Sequence, residues 1–416
     1  MFDAKKKLIV IAIAAAFALP LAAQAQSSVT VYGKLYPQIT SYSITGASAL
    51  GTAGNSLRAP IPAGSQVANV SGTVMEASNS RLGFRGTEDL GGGLRVLFQL
   101  ETTVAVDSGA TGSATAFFNR DTFVGLSGGF GTVSFGIIDT AYKMLGDNLS
   151  FLGIGSGNFV SLSNILSEPT FGSSATTRFH QRPPNTIYYA SPKVGGFEGQ
   201  FSHSLGEIAS SAQQNSITSA GVRYAQGPIS VALAHEIHNN RFGLSRFATA
   251  NRNGTGGTGG TFVPNEGASS KDRATRLTVD YRFTPSTRAQ ANLARLGYNE
   301  TGGAVGRLAG YRTTTWSLGV DHKLSTAVTL AASYGQAGDG VCSLVGGAAC
   351  STAGLNGKML NLGGSYALSK RTWLFAIASQ MTNGSSAVGN NSGGNIPAPS
   401  GGADIRQVAF GINHNF

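Results

Sequence analysis

Apolar and polar residues alternate along much of this chain in short runs with a period of two, the signature of strands with two unlike faces. In the first such run Val29, Val31, Leu35 and Ile39 share one face, and Thr30, Tyr32, Lys34, Tyr36 and Gln38 share the other. Over 276–283, Leu277, Val279, Tyr281 and Phe283 oppose Arg276, Thr278, Asp280 and Arg282. Over 360–368, Leu362, Tyr366 and Leu368 oppose Asn361 and Ser365. The last run sets Val408, Phe410, Ile412, His414 and Phe416 against Gln407, Ala409, Gly411, Asn413 and Asn415. Aliphatic and aromatic side chains repeatedly back onto charged or amide ones, as a wall between lipid and water requires.

The links between these runs alternate between short and long. Short links rich in turn formers lie at 88–93, 127–131, 191–196, 225–228, 284–286, 324–326 and 368–371. Long Gly- and Ser-rich stretches lie near 44–77, 108–116, 140–184, 207–214, 239–271, 300–310, 339–356 and 384–403. Seven short and eight long links join about sixteen strands, an even number, which predicts an all-β, transmembrane antiparallel barrel with short periplasmic turns and long outer loops. Closure pairs every backbone donor and acceptor, which lipid demands. A soluble β-sandwich or a secreted solenoid is also turn-rich, but neither calls for this short–long rhythm or a terminal aromatic residue.

Lys5, Lys6 and Lys7 precede an apolar run over 8–19, followed by Pro20 and the small-residue site Ala23-Gln24-Ala25. This predicts a secretory signal peptide at 1–25 and a barrel domain at 26–416. The run is shorter than the roughly 20 residues of a spanning helix.

Composition supports a wet interior. The 416 residues include 58 Gly and only 12% charged residues, and mean hydropathy is close to zero. Three Lys and one Asp fall in the signal, so about +8 of the formal +10 remains on the mature chain. A positive excess of this kind points to anionic solutes. Nucleic-acid binding is excluded by export and by the scatter of Lys and Arg along alternating strands.

Several segments resemble the trimeric general porins of β-proteobacterial outer membranes: Val29-Thr30-Val31-Tyr32-Gly33; the 80–94 segment beginning Ser80-Arg81-Leu82-Gly83-Phe84-Arg85-Gly86-Thr87-Glu88-Asp89-Leu90; Phe123-Val124-Gly125-Leu126 with Phe130-Gly131-Thr132-Val133; Asn185-Thr186-Ile187-Tyr188-Tyr189-Ala190; Tyr366-Ala367-Leu368-Ser369-Lys370-Arg371-Thr372; and His414-Asn415-Phe416. The resemblance implies a sixteen-stranded homotrimeric porin in the cell outer membrane, with its third long loop folded into the lumen as a constriction. It implies a water-filled channel for passive diffusion of small hydrophilic solutes and ions, without a cofactor. The implied partners are outer-membrane lipid, lipopolysaccharide and the barrel-assembly machinery, for which Phe416 is the C-terminal signal. Tyr36 stands where the family often has an Asp, and Asn119-Arg120-Asp121 where it has Gly-Arg-Gln. Both departures bear on solute preference.

Charges at the narrowest point of such a channel set its selectivity. Arg81 and Arg85 share a face opposite Leu82 and Phe84, and Lys34 and Arg95 fall on the same polar side of neighbouring strands. Arg120, at the start of the fourth strand, and Arg182, near the return of the 140–184 loop, complete the basic candidates for the pore wall. Asp147 and Glu168 are the acidic candidates on that loop. The expectation is an anion-preferring diffusion pore. The alternatives are a substrate-specific channel with a sugar-stacking track of Tyr32, Tyr36, Tyr42 and Tyr188, or a surface barrel with an adhesin role.

Cys342 and Cys350 are the only cysteines and lie in one outer loop of an exported chain, which predicts a disulfide. Two thiols without nearby His or Asp fall short of a zinc site, so no metal is expected. His235 and His238 flank Glu236, but alternation puts His235 and Glu236 on opposite faces, so no catalytic set is expected and the chain is read as no enzyme.

Overall fold

The computed structural model describes residues 28–49, 55–58, 69–110, 116–146, 151–154, 156–172, 177–207, 215–247, 268–393 and 395–416. The expected signal peptide at 1–25 and Asp147 lie outside the described residues.

Nineteen strands among the described residues build sixteen barrel staves. The first stave is β1 (Ser28–Leu35) and β2 (Gln38–Thr45). It breaks around Pro37, which has no N–H for the ladder. The second stave is β3 (Val70–Glu76) and β4 (Arg81–Gly91). The wall continues through β5 (Leu94–Thr103), β6 (Thr122–Gly128), β7 (Gly131–Ile137), β8 (Thr186–Ala190), β9 (Phe197–Ser204), β10 (Ser216–Gln226) and β11 (Ile229–Asn239). It then passes through β12 (Ser269–Arg282), β13 (Thr287–Thr301), β14 (Leu308–Lys323) and β15 (Val328–Ala337). The short β16 (Val341–Leu344) extends an outer loop, and β17 (Gly357–Ala367), β18 (Thr372–Asn383) and β19 (Asp404–Asn415) complete the set.

Neighbours pair antiparallel, and the ring closes where β19 meets both β2, over Asp404↔Thr45 to Gly411↔Gln38, and β1, at Lys34↔Asn415. At that seam Gly33 and Phe416 exchange reciprocal N–H to carbonyl bonds of 3.1 Å. The seven short links fall where turn chemistry places them. One of the tightest uses Gly91, Gly92 and Gly93, with φ of 83°, 62° and 81°, a conformation that costs a side-chain-bearing residue.

Burial follows the period of two. On β12 to β14 the outward Leu277, Leu293, Trp316 and Leu318 are exposed, while the inward Thr278, Asn292, Thr315 and Ser317 are buried. On β19 Val408, Phe410 and Ile412 face out, and Gln407 and Asn413 face in. This is the inverse of a soluble core, and it suits lipid outside.

Inward polar groups are buried because the described parts of the third long connection, between β7 and β8, lie inside the barrel. Its helix α1 (Ala141–Gly146) sits against β10 to β12, and Ser202 and Ser219 hydroxyls accept the Ala141 and Tyr142 N–H groups. The connection then crosses to the opposite wall. There Phe151, Leu152, Ile154, Phe159 and Val160 pack with Tyr36, Phe375 and Ile377. Asn361 and Asn391 side-chain amides donate to the Val160 and Phe159 carbonyls at 3.0 Å. A second short helix, α2 (Ser163–Leu166), rests on β15, and α3 (Gly243–Phe247) packs beside β13 and β14 at the outer mouth.

Candidate functional site

The inward parity of β1 and β4 brings three cations, Lys34, Arg81 and Arg85, to one region of the lumen wall, and Glu101 on β5 draws a fourth, Arg120, to it from the loop before β6. Lys34 pairs directly across from Arg81, Arg85 lies across from Thr30 and Gln99, and Glu101 and Tyr32 flank Gly83. Glu101 sits at the centre, 2.5 Å from Arg120 Nε and 3.6 Å from Arg81 Nε, and its Oε2 accepts the Tyr32 hydroxyl at 3.0 Å. Arg85 lies over the Tyr32 ring at 4.8 Å. Lys34 Nζ is 4.6 Å from the Tyr36 ring centre and donates to the Gly153 carbonyl at 3.3 Å, so the inserted loop touches the basic wall here. Lys34, Arg81, Arg85 and Arg120 thus outnumber the one carboxylate among them. Arg120, whose face alternation left open, turns inward because Glu101 holds it.

The other candidates fall elsewhere. Arg95 lies toward the periplasmic rim, across from Asp89. Arg182 is set between two carboxylates, with Nε 2.8 Å from Asp139 and 3.1 Å from Asp121. Lys143 closes the group at 2.8 Å from Asp139. This clamp ties the two roots of the inserted loop to the start of the fourth stave. Burial by itself pushes the Asp139 carboxyl up, but Lys143 and Arg182 outweigh it and hold the group below the ordinary carboxylate range. Burial and the neighbouring Asp139 push Asp121 the other way. Glu168 is 3.4 Å from Arg178, so the acids of this loop that are described, Asp139 and Glu168, both meet cations.

Sequence reasoning passed over three groups. Glu101 becomes the hub of the arginines only through the register of β1, β4 and β5. Arg276, from an inward position on β12, donates from Nη2 to the Gly146 carbonyl at 2.6 Å and from Nε to Asn292 at 3.2 Å, holding the end of α1. The Asp121–Asp139–Arg182 clamp joins residues up to 61 positions apart, and no local pattern signals it.

Below the inserted loop a cavity of about 720 Å³ opens among the periplasmic turns, bounded by Gly153, Trp373, Arg282, Arg288, Lys323 and Lys370. Arg282 and Arg288 stand directly across from each other, and Arg288 reaches Asp321 at 3.1 Å. Arg282, Arg288, Lys323 and Lys370 outnumber Asp321 in its lining, so this cavity too carries a positive excess.

The tyrosines form no track. Tyr36 is fully buried and stacked on Phe375 with ring centres 4.6 Å apart, Tyr188 is buried, and Tyr32 is covered by Arg85. Cys342 and Cys350 are joined as a disulfide with Cα atoms 5.7 Å apart. Among the described residues no group of three or more His, Cys, Asp or Glu is placed to hold a metal ion. His238 meets Glu236 at 2.9 Å on the inner face, while His235 bonds Thr275 on the outer one.

A closed sixteen-stave barrel with an apolar exterior, a charged bore and an inserted loop defines a channel-type protein of the outer membrane. The model of the Gram-negative porin family matches residues 11–386, and the chain belongs to that family. Outer membrane porin protein 32 of Delftia acidovorans is 33% identical over 239 residues, covering 55% of this chain and 58% of that protein. Major outer membrane protein P.IB of Neisseria gonorrhoeae is 32% identical over 197 residues, 47% of each. The matches thus span about half the length of these curated relatives. Among solved structures, the anion-selective porin from Comamonas acidovorans superposes with a TM-score of 0.67 at 21% identity, over 94% of this chain and 100% of that one. The trimer form of OmpT from Vibrio cholerae gives 0.60 at 12% identity, over 94% and 99%. These likenesses are of fold. The protein is an outer-membrane barrel.

Proposed function

We propose that the protein is a general diffusion channel, exported by its 1–25 segment, that passes small hydrophilic solutes and ions and prefers anions. The observation that carries this reading is the cluster of Lys34, Arg81, Arg85 and Arg120 around the lone Glu101, beside the point where the inserted loop meets the wall. Where low-dielectric walls approach, a positive surface raises the local anion concentration and lowers that of cations. The loop sets width, and its clamp keeps it in place. The anion selectivity stated for the Comamonas porin of the same fold supports this sign.

We further read the working form as a homotrimer, as in the Vibrio trimer. Phe416 would serve as the signal to the barrel-assembly machinery, and lipopolysaccharide would surround the outer rim. Reversal potentials of the purified protein in planar bilayers under a salt gradient test selectivity, with an anion sign expected. A cation sign overturns the reading. Insertions should conduct in triplets of equal steps, and single steps would refute the trimer.

A further inference from the structure

The outer wall carries a charge pattern that traffic through the bore does not use. Arg273 on β12, Arg295 on β13 and Arg312 on β14 are exposed and share the outward face with Leu277, Leu293 and Trp316. Their register is fixed. Gly297 lies across from Arg273 on one side and from Arg312 on the other, and Arg295 lies two residues away, across from Thr275 and Thr314. With strands about 4.8 Å apart and same-face neighbours about 7 Å apart along a strand, the three side chains spring from a patch roughly 10 Å across.

The patch is hollow. Gly297 leaves its floor bare, and with Gly310, His235, Asn299 and the β16 edge it bounds a cavity of about 540 Å³ with no carboxylate in its lining. Among the described residues none of the three arginine side chains makes an ion pair or hydrogen bond. Three like charges side by side repel, and a lipid-facing guanidinium is tolerated only near the membrane–water boundary. That is where these lie: toward the long-loop rim, four residues beyond Leu277, two beyond Leu293 and four beyond Trp316 on their strands.

We propose that this pocket binds the phosphorylated headgroup of the outer-leaflet glycolipid, lipopolysaccharide, with Arg273, Arg295 and Arg312 as its phosphate ligands. The fork of each guanidinium suits bidentate contact with phosphate oxygens, and the apolar belt beneath gives the acyl chains a surface continuous with the pocket. The inference rests on the lipid contact in the reading above and on the barrel's outward face. It does not depend on ion selectivity.

The test compares the purified native protein with R273S/R295S/R312S and with the charge-keeping triple Lys variant. Each is incubated in detergent with lipopolysaccharide or with the same lipid enzymatically dephosphorylated, and bound lipid is quantified after repurification. Native protein should retain at least fivefold more phosphorylated lipid than the Ser variant, with the Lys variant between them. Dephosphorylated lipid should bind both equally weakly, and millimolar inorganic phosphate should not displace the intact lipid. Equal retention by native and Ser variants overturns the site, as does indifference to dephosphorylation. Displacement by inorganic phosphate would reassign the pocket to a free anion, and loss of trimers at unchanged lipid retention would reassign it to contact between copies. Reversal potentials on the same samples report the bore alone, so a failure there is distinguishable from a failure here.

Discussion

Replacing Arg81 and Arg85 by Ser tests the basic wall most directly. The change leaves Lys34 and Arg120 against Glu101, so the local balance falls from four cations and one carboxylate to two and one. For an ion about 7 Å from a guanidinium in water, one unit charge is worth about 0.6 kcal/mol. Screening at 0.1 M salt, with a Debye length of about 10 Å, roughly halves that. The same potential draws anions and repels cations, so the permeability ratio responds twice, by about threefold per charge and about eightfold for the pair. Reversal potentials in a tenfold KCl gradient at pH 7 read this ratio. Both arginines face water-filled lumen, and Glu101 keeps Arg120, so the barrel should assemble normally and retain its heat-modifiable electrophoretic mobility. The effect should shrink in molar salt, where the Debye length is about 3 Å. A variant whose ratio stays within twofold of native at 0.1 M would refute the claim that this wall sets selectivity.

Other outcomes follow from the loop and the seam. Arg276→Met removes the donors to Gly146 and Asn292, a loss of roughly 2–3 kcal/mol of charge-assisted bonding, and should raise the frequency of current flickers while moving the reversal potential little. Asp139 is held below its ordinary range by Lys143 and Arg182; its stabilisation is therefore complete above the ordinary carboxylate value of about 3.9 and fades as pH falls through the depressed folded value. Acidification from neutral to progressively below that ordinary carboxylate value should thus increase loop-dependent gating in the native channel, and Asp139→Asn should already gate at neutral pH. Gly33→Ala puts a methyl 2.2 Å from the Phe416 ring and 2.8 Å from the Arg81 carbonyl, so the ring must swing away and the β1–β4 backbone must shift, and unboiled samples on gels should lose the folded band at a lower temperature than native.

Much of the wall was legible before any coordinates. Alternation assigned Lys34, Arg81 and Arg85 to the bore, and the short links at 127–131, 225–228 and 368–371 predicted turns that the structure contains. Arg120 defeated the same logic because it precedes β6, where no strand parity applies. Arg182 reads from the sequence as a pore charge because its partners are far along the chain, Asp139 at the opposite root of the same connection and Asp121 at the start of the fourth stave.

Strand faces and turn positions are properties of residues one, two or a few positions apart, so hydrophobic period and turn chemistry write them into the chain. The course of the 138–185 connection, the carboxylates that hold Arg120 and Arg182, and the meeting of Arg273, Arg295 and Arg312 around Gly297 depend on register between strands and on packing across the barrel. Those are contacts between distant segments, and they exist only once the cylinder has closed and brought its walls within reach of each other.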